Sequence, residues 1–576
     1  MDKILRVNTR TGEIHETGVT DEQRYYGGRS FISFHLLNEV DPACEPLGAG
    51  NPLIITAGLL GDTFVTTAGR CSIGAKSPLT KGVKECNVGG PAGMMMARLG
   101  FKAVILEDKP AKQQTKVLFV DKDGQRLDSY PELHKMEVTG TIDFLREKYG
   151  RKTGIFCVGP AGEMGMRGAS IATYDHTGEL IRFAARGGLG SVMGVKGIKA
   201  VVFDDRGVKN PQFHDQKALV EANRQVVQIL MEDPKTENRH EFGTPAIVSR
   251  CNSLGILPTR NFSSGEFELV DGISGEHVRD LIIERGGDGK KGVPCIPGCV
   301  IQCSNVFPDA NGKKSVATLQ YESIVLLGSN CGIGDIDEIA ELNNLCNQVG
   351  VDSIETGAAI GVAMEAGIIE FGDSEGAKDL IRQIGRGTPL GRIIGNGSVT
   401  TGLVLNVQRV PAVKGQAMPA YDPRALKGIG VTYAMSPMGA DHTAGNSLET
   451  AGTIDPLGTE GHIESSYRLQ IRAIILDSFG VCLFVRPAFV KDPDLSARLL
   501  NARYGWSFSY KDVQKLAFEC LKNEREFNHR SGASDLLSDM PEFLRNEPLP
   551  PNNTVFDITK EQLDSIWEVQ LPVDIF

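Results

Sequence analysis

Three cysteines, Cys295, Cys299 and Cys303, fall within nine residues in the stretch Gly292-Val-Pro-Cys-Ile-Pro-Gly-Cys-Val-Ile-Gln-Cys-Ser-Asn305. Spacings of four would put the thiols on one face of a helix. Pro297 and Gly298 inside the run oppose an ordinary helix. Clustered thiols in a chain without a secretory signal hold a metal more often than they build a disulfide framework. A loop of three thiolates, completed by a cysteine from far along the chain, is one way of holding a 4Fe–4S cluster. The chemistry would then be single-electron transfer, and the fourth ligand must come from elsewhere in the sequence.

An internal echo offers that ligand. Asn347-Gln-Val-Gly-Val-Asp352 and Asp477-Ser-Phe-Gly-Val-Cys482 share a polar residue, Gly three on and Val four on. A carboxylate or amide at a helix end before a Gly turn can accept hydrogen bonds from the N–H edge of a heterocycle. Two copies suggest two similar rings. Cys482 closes the second copy and is the natural partner of the cysteine loop. Its plainer alternative is a buried core thiol in an apolar strand, Val481-Cys-Leu-Phe-Val485.

Three glycine-rich stretches precede these motifs: Thr66-Thr-Ala-Gly-Arg-Cys-Ser-Ile-Gly74, Cys86-Asn-Val-Gly-Gly-Pro-Ala-Gly93 and Arg182-Phe-Ala-Ala-Arg-Gly-Gly-Leu-Gly-Ser-Val-Met-Gly-Val-Lys196. Such loops bring backbone N–H groups up to phosphate, and Arg70, Arg182 and Arg186 would add charge. None is a Walker A loop or a G-x-G-x-x-G after a strand. Together they point to a large phosphorylated cofactor.

The elements that must position these groups follow from pattern and composition. A chain of 576 residues suggests roughly three or four domains. A net charge of −11 argues against nucleic acid or an anionic membrane as principal partner. The N-terminus has no signal-like pattern and no apolar run reaches membrane length, so a cytoplasmic protein with mostly free, buried thiols is expected. Residues 1–208 read as strands and turns, with short β-branched runs at 4–8, 52–57, 103–106, 116–120 and 199–203. The period changes near 209: residues 217–231 are amphipathic, and further helices are expected at 337–346, 354–370, 463–475, 494–503 and 510–526. Asp335 can cap the helix at 337–346. The Pro-rich tail from Glu547 reads as an extended surface segment. The fold class is α+β: an N-terminal β-sandwich-like cofactor-binding domain (1–208), a helical domain with three cluster cysteines (209–412), and a C-terminal helical domain with the fourth (413–576).

Nearly end to end, the chain resembles the aldehyde ferredoxin oxidoreductase family of tungsten bis-pyranopterin enzymes. The likeness runs through the Arg70 loop, Asn87-Val-Gly-Gly, Ala185-Arg-Gly-Gly-Leu-Gly-Ser-Val-Met-Gly-Val-Lys, Tyr321-Glu-Ser, Met418-Pro-Ala-Tyr-Asp-Pro-Arg-Ala-Leu-Lys427, Gly439-Ala-Asp-His442, Asp477-x-x-Gly-x-Cys482, Glu547-Pro-Leu-Pro-Pro and Val555-Phe-Asp. It implies a β base carrying the cofactor, with two helical domains closed over it. Asn347 and Asp352 would hold one pterin and Asp477 the other. Arg70, Asn87, Gly89 and Arg182 would meet the phosphates and their Mg2+. Phe183, Ala185, Arg186, Val481 and Leu483 would also touch the cofactor. Cys295, Cys299, Cys303 and Cys482 would ligate the cluster. Glu322 and His442 resemble the family's acid–base pair, with Tyr321 as a helper, and Cys331 is a further soft-ligand candidate against a structural thiol. The implied reaction is oxidation of a small aldehyde to a carboxylic acid, with electrons leaving through the cluster to ferredoxin or an iron–sulfur subunit of a homo- or hetero-oligomer.

The pattern departs from the family in three places. The first cysteine spacing is C-x-x-x-C instead of C-x-x-C, Asn347 stands where Asp is usual, and Met438 precedes Gly439 where a basic residue is common. Glu237-x-x-His240 does not fall where the family's subunit-bridging iron site lies and reads as surface. Molybdenum in place of tungsten, a reductase of an aromatic acyl-CoA-type substrate, and a catalytically silent iron–sulfur carrier are the competing expectations.

Overall fold

The computed structural model describes residues 1–175, 178, 180–533, 540–569 and 575–576. The β-branched runs of the N-terminal region form two six-stranded sheets. The first contains β1 (Lys3–Asn8), β2 (Ile14–Gly18), β3 (Leu53–Ala57), β4 (Cys71–Lys76), β5 (Val83–Val88) and β6 (Phe101–Glu107), in the order β2-β1-β6-β3-β4-β5. The second contains β7 (Lys116–Asp121), β8 (Gly124–Ser129), β9 (Gly154–Val158), β10 (Ile171–Tyr174), β11 (Ile181–Ala184) and β12 (Ile198–Asp204), in the order β8-β7-β12-β9-β10-β11. Adding six to each strand number turns the first order into the second. Strand directions agree as well: β1 with β6 and β7 with β12 are parallel, and the remaining pairs are antiparallel. The base is therefore one topology used twice.

Strand periodicity explains how the sheets stack. On β3, Leu53 and Ile55 face a core shared with Leu118, Phe156 and Val201 of the second sheet, while Ile54 faces Phe31, Ile32 and Leu36 of the Gly28–Glu39 helix. The second sheet is covered in the same way by the Val138–Tyr149 helix, through Val138, Ile142 and Leu145. Short helices Pro91–Arg98 and Leu189–Val195 fill the layer between the sheets. A region read as strands and turns thus also carries helices. The Gly28–Glu39 helix buries Arg29, Ser30, Ser33 and His35 as well as its apolar residues, so no polar stripe marks it in the sequence.

The helical remainder holds the expected long helices, including Ile336–Val349, capped by Asp335 at the N–H groups of Asp337 and Glu338, and His462–Phe479. Its two cores exchange segments across the boundary drawn at 412. Leu219, Val226 and Leu230 of the Gln216–Glu232 helix pack with Leu495, Leu499 and Leu500. Ile429 and Tyr433, together with Leu549 and Phe556, pack with Ile324, Ile339 and Ile360. The Pro-rich tail packs on the surface as an extended segment with one anchor: Pro548, Pro550 and Pro551 are exposed, Leu549 is fully buried, and Asn552 Nδ2 donates to Leu254 O at 2.8 Å. Among the described residues no helix is long and apolar enough to cross a membrane.

Candidate active site

The two echoed motifs dock on equivalent places of the repeated base. Each helix ends in a left-handed glycine, Gly350 (φ 78°) and Gly480 (φ 71°). The following valines make isolated bridges, Val351 to Ala169 and Val481 to Ala68. Ser170 N donates to Gly350 O at 2.9 Å and Arg70 N to Gly480 O at 3.0 Å; Asp352 N reaches Gly168 O at 2.9 Å and Cys482 N reaches Thr67 O at 3.2 Å. A Cβ at Gly58 would stand 2.2 Å from Gly480 N, and one at Gly159 would stand 2.3 Å from Val349 O. Both positions require glycine for this approach.

Docking the second motif delivers Cys482 to the cysteine loop. Ile296-Pro297-Gly298-Cys299 is a type II turn, with Pro297 second, Gly298 third at φ 75° and Cys299 N donating to Ile296 O at 3.3 Å. Pro297 and Gly298 are exposed, so the extra residue of the spacing is taken up at a solvent-facing tip. Thr66 ties both segments together: its hydroxyl donates to Gly298 O at 3.0 Å and accepts from Val300 N at 3.3 Å, next to the Thr67 carbonyl that holds Cys482. Burial pushes the Cys299 thiol up to about 12, with Cys295 and Cys482 adding to it. Burial, then Cys295 and Cys482, raises Cys303 too. The four sulfurs thus sense one another and would ionise readily only beside a cationic centre. No three of them lie within 4.8 Å of one another. Ligands of a single ion, with metal–sulfur bonds near 2.3 Å, would sit about 3.8 Å apart. The set is more open than the ligands of one ion.

Beside it lies a cavity of about 270 Å3, lined by Glu85–Gly89 of the β5 edge, Ile181–Phe183 and Ala185–Arg186 of the β11 edge, Glu322, Asn347, Asp352, Asp441–Thr443 and Cys295. A Cβ on Gly89 would stand 3.2 Å from Cys295 Sγ and 3.5 Å from Arg70 Nη1, so the loop's missing side chain lets the cysteine segment close over the cavity. Arg70 Nη2 donates to Asn87 O at 2.9 Å and its Nε to Asn87 Oδ1. Arg182 Nη2 donates to Ser304 Oγ, beside Cys303.

Glu322 lies in the first turn of the Tyr321–Leu327 helix. Its Oε2 accepts from Ala420 N at 2.8 Å, and its Oε1 stands 3.5 Å from His442 Nε2. His442 Nδ1 is 3.9 Å from Asp441 Oδ1. Burial works to raise the Asp441 carboxyl, but Lys84 and Arg186 outweigh it and hold it well below the usual carboxylate range. The buried Lys84–Asp441 ion pair fixes the loop that carries His442 to β5. Among the described residues, buried atoms on this wall without a hydrogen-bond partner are Glu85 Oε1, Asn87 Nδ2, Arg182 Nε, Arg186 Nε, Thr318 Oγ1, Glu322 Oε1 and His442 Nδ1. Native folds pair the great majority of such atoms. So many around one cavity make it the candidate ligand-binding wall.

Residues 4–205 match the N-terminal domain of aldehyde ferredoxin oxidoreductase, and residues 221–569 match its domains 2 and 3. The chain belongs to the aldehyde ferredoxin oxidoreductase family. It is 31% identical over 600 residues to a tungsten-containing aldehyde ferredoxin oxidoreductase of Pyrococcus abyssi, spanning 99% of this chain and 95% of that one. An aliphatic sulfonate oxidoreductase, WOR-like subunit, of Pyrococcus furiosus is 26% identical over 85% of this chain and 80% of its own. In fold, the chain resembles the active-site complex BamBC of benzoyl coenzyme A reductase, solved with 1,5-dienoyl-CoA. The TM-score is 0.79 at 17% identity, over 98% of this chain and 93% of that one.

Within this family member, most of the expected site residues converge on the cavity: Arg70, Asn87, Gly89, Arg182, Phe183, Ala185, Arg186, Asn347, Asp352, Glu322, His442 and Cys295 all line it. Two of them are already engaged by the protein. Arg186 spends its terminal nitrogens on Asp352 Oδ2 (3.0 Å), Ala417 O (2.5 Å) and Ala440 O (2.7 Å), leaving Nε for the cavity. Asp352 also caps the next helix at Ile354 N, 3.0 Å away. Asp477, Val481 and Leu483 are not on this wall. Asp477 lies 3.5 Å from Arg29, and burial pushes its carboxyl up to about 6 against Arg29 and Arg70. Val481 is buried on the base, and Leu483 opens a short 3-10 turn instead of continuing a strand. Tyr321 does not face the cavity either; its hydroxyl donates to Ala420 O at 2.6 Å, the same residue whose N–H holds Glu322. Cys331 is buried in the helical core with Sγ on the carbonyls of Leu326 and Gly357, away from the site. Glu237 and His240 are exposed, as expected. Lys84, Glu85 and Asp441 were not foreseen. The signal was available in Val83-Lys-Glu-Cys-Asn-Val88, two adjacent charges in a strand otherwise fit for burial.

Proposed function

We propose that this chain oxidises a small aldehyde to the carboxylic acid on a tungsten bis-pyranopterin, and passes electrons through a 4Fe–4S cluster on Cys295, Cys299, Cys303 and Cys482 to ferredoxin or a partner iron–sulfur subunit. The observation that carries this reading is Glu322 and His442 facing each other with unpaired atoms, on a wall shared with both glycine-rich edges and Cys295. When bound, the tungsten–dithiolene group accepts an electron pair from the substrate and releases electrons singly. The unpaired Asn87 Nδ2 and Arg182 Nε, with Arg70 and the Gly89 backbone, suit phosphate groups and their Mg2+.

Glu322 Oε1 is the atom free to take a proton from water or an aldehyde hydrate as it attacks. His442 Nε2 faces the same space and can donate to the carbonyl oxygen, polarising it, and later receive a proton. Its Nδ1 faces ionised Asp441, which Lys84 anchors. Tyr321 acts through Ala420 as a positioning residue. The buried rings of Tyr321 and Tyr421, with centroids 5.2 Å apart, keep water from the rear of Glu322.

Tungsten, molybdenum, iron and pterin analysis of anaerobically purified protein, followed by turnover of an aldehyde panel, tests the reading. Tungsten with pterin and aldehyde oxidation is the expected result; iron without pterin would overturn it. The fold neighbour solved with a dienoyl-CoA supports a second reading, reduction of an aromatic acyl thioester inside a larger electron-transfer complex. Turnover of an aryl thioester with every aldehyde inert would favour it.

A further inference from the structure

The repeated base allows its two halves to be compared position by position. Across β4 and β5, Cys71 pairs with Val88 and Gly74 with Glu85; across β10 and β11, Ile171 pairs with Ala184 and Tyr174 with Ile181. Glu85 therefore occupies in the first half the place of Ile181 in the second, and both line the cavity. At the docked helix ends, Asp477 stands where the other motif has Asn347. At these two positions one half presents two carboxyl groups and the other an amide and an alkyl chain, and the carboxylate the second half does carry, Asp352, is neutralised by Arg186 at 3.0 Å.

The protein answers Glu85 only in part: the Ser72 hydroxyl bonds its carboxyl, and no cation pairs with it among the described residues. Its side chain is 4% exposed, and Oε1 has no hydrogen-bond partner among the described residues. Lys84 points to the other side of the strand, as alternation requires, and is paired with Asp441. Arg29 is fully buried, gives Glu524 two bonds of 2.7 and 2.9 Å, and turns its remaining nitrogen towards Asp477 at 3.5 Å. A buried carboxyl left over in this way is costly unless a ligand on the cavity side completes its hydrogen bonds.

Resting on the cofactor proposed above, we propose that Glu85 is a further cofactor-binding residue. With Asp477 it holds the N–H-rich edge of one fused heterocycle, so that one pterin seat is acidic and the other, at Asn347 and Ile181, is neutral. A carboxyl can accept from ring N–H groups and, when protonated, donate to a ring nitrogen or carbonyl, which Ile181 cannot do.

The test compares the full-length protein, anaerobically purified, with Glu85→Ala, Glu85→Gln and Ile181→Ala, assaying pterin, tungsten and iron per chain. Glu85→Ala is expected to lower pterin retention about tenfold, the scale of one lost buried hydrogen bond to a charged group, with iron unchanged. Glu85→Gln and Ile181→Ala should keep both pterins. Pterin at the wild-type level in Glu85→Ala would overturn the inference. If that variant loses iron as well, Glu85→Gln decides: a shifted tungsten midpoint potential supports the contact and an unchanged one overturns it. A wild-type protein without pterin would overturn the cofactor reading itself, a result distinct from a loaded wild type beside an equally loaded Glu85→Ala.

Discussion

Replacing either docking glycine by alanine gives two perturbations alike in energy and unlike in consequence. At Gly480 a Cβ would lie 2.9 Å from both Arg70 O and Gly58 Cα; at Gly350 it would lie 2.8 Å from Gly159 N and 2.9 Å from Gly159 Cα. Both backbones are left-handed, which costs an alanine about 1–2 kcal/mol. Relieving contacts this short costs about 1–3 kcal/mol more. Each variant should therefore lose about 2–5 kcal/mol, by lifting the turn away from the base. Lifting Gly480 carries away the Val481–Ala68 bridge and the Cys482 N–Thr67 O bond, and with them one thiol of the cluster set. Lifting Gly350 moves Asp352 and its ion pair with Arg186 but none of the four cysteines of the cluster set. Iron per chain and the spectrum of the reduced cluster should collapse in Gly480→Ala and survive in Gly350→Ala. Equal iron loss in both, or full iron in a folded Gly480→Ala, would refute the claim that this turn places the fourth ligand.

Glu322→Gln and His442→Asn should each lower turnover at least about 100-fold with metal and pterin content intact; loss of cofactor instead would make the residue structural. Tyr321→Phe removes one hydrogen bond to Ala420 O, worth about 1 kcal/mol, so kcat should fall about fivefold. A drop as large as that of Glu322→Gln would give the phenol a direct part in proton transfer. Cys303→Ala and Cys482→Ala should lose iron, whereas Cys331→Ala should keep it. The Glu85 carboxyl, raised by burial from 4.5 to about 8, contributes to stability fully below about pH 4.5, and that contribution is lost as pH rises through about 8. Glu85→Gln should flatten that part of the melting-temperature profile, and parallel wild-type and variant curves would show that the group titrates normally.

Much of the site was legible because its chemistry is written in local spacing. The Pro-Gly cysteine turn, the helix–Gly–Val echo and the glycine-rich edges each depend on neighbouring residues with strong conformational preferences, and the strands at 53–57, 101–107 and 116–121 follow from β-branched runs. The Gly28–Glu39 and Val138–Tyr149 helices were less visible, the first because it is buried on most sides.

What the sequence determined by itself was the inventory: which side chains can bind metal, meet phosphate or move protons, and which turns can bring backbone close to a ligand. Tertiary structure alone decided how they meet. The twofold base is a repeat of backbone hydrogen-bonding order, which very different side chains can satisfy, so its halves need not look alike in letters. The Lys84–Asp441 pair joins residues 357 apart, and Glu85 has no cation paired with it while Arg29 bonds Glu524. Which buried charges find a partner depends on distances set by packing, and local pattern carries no information about them.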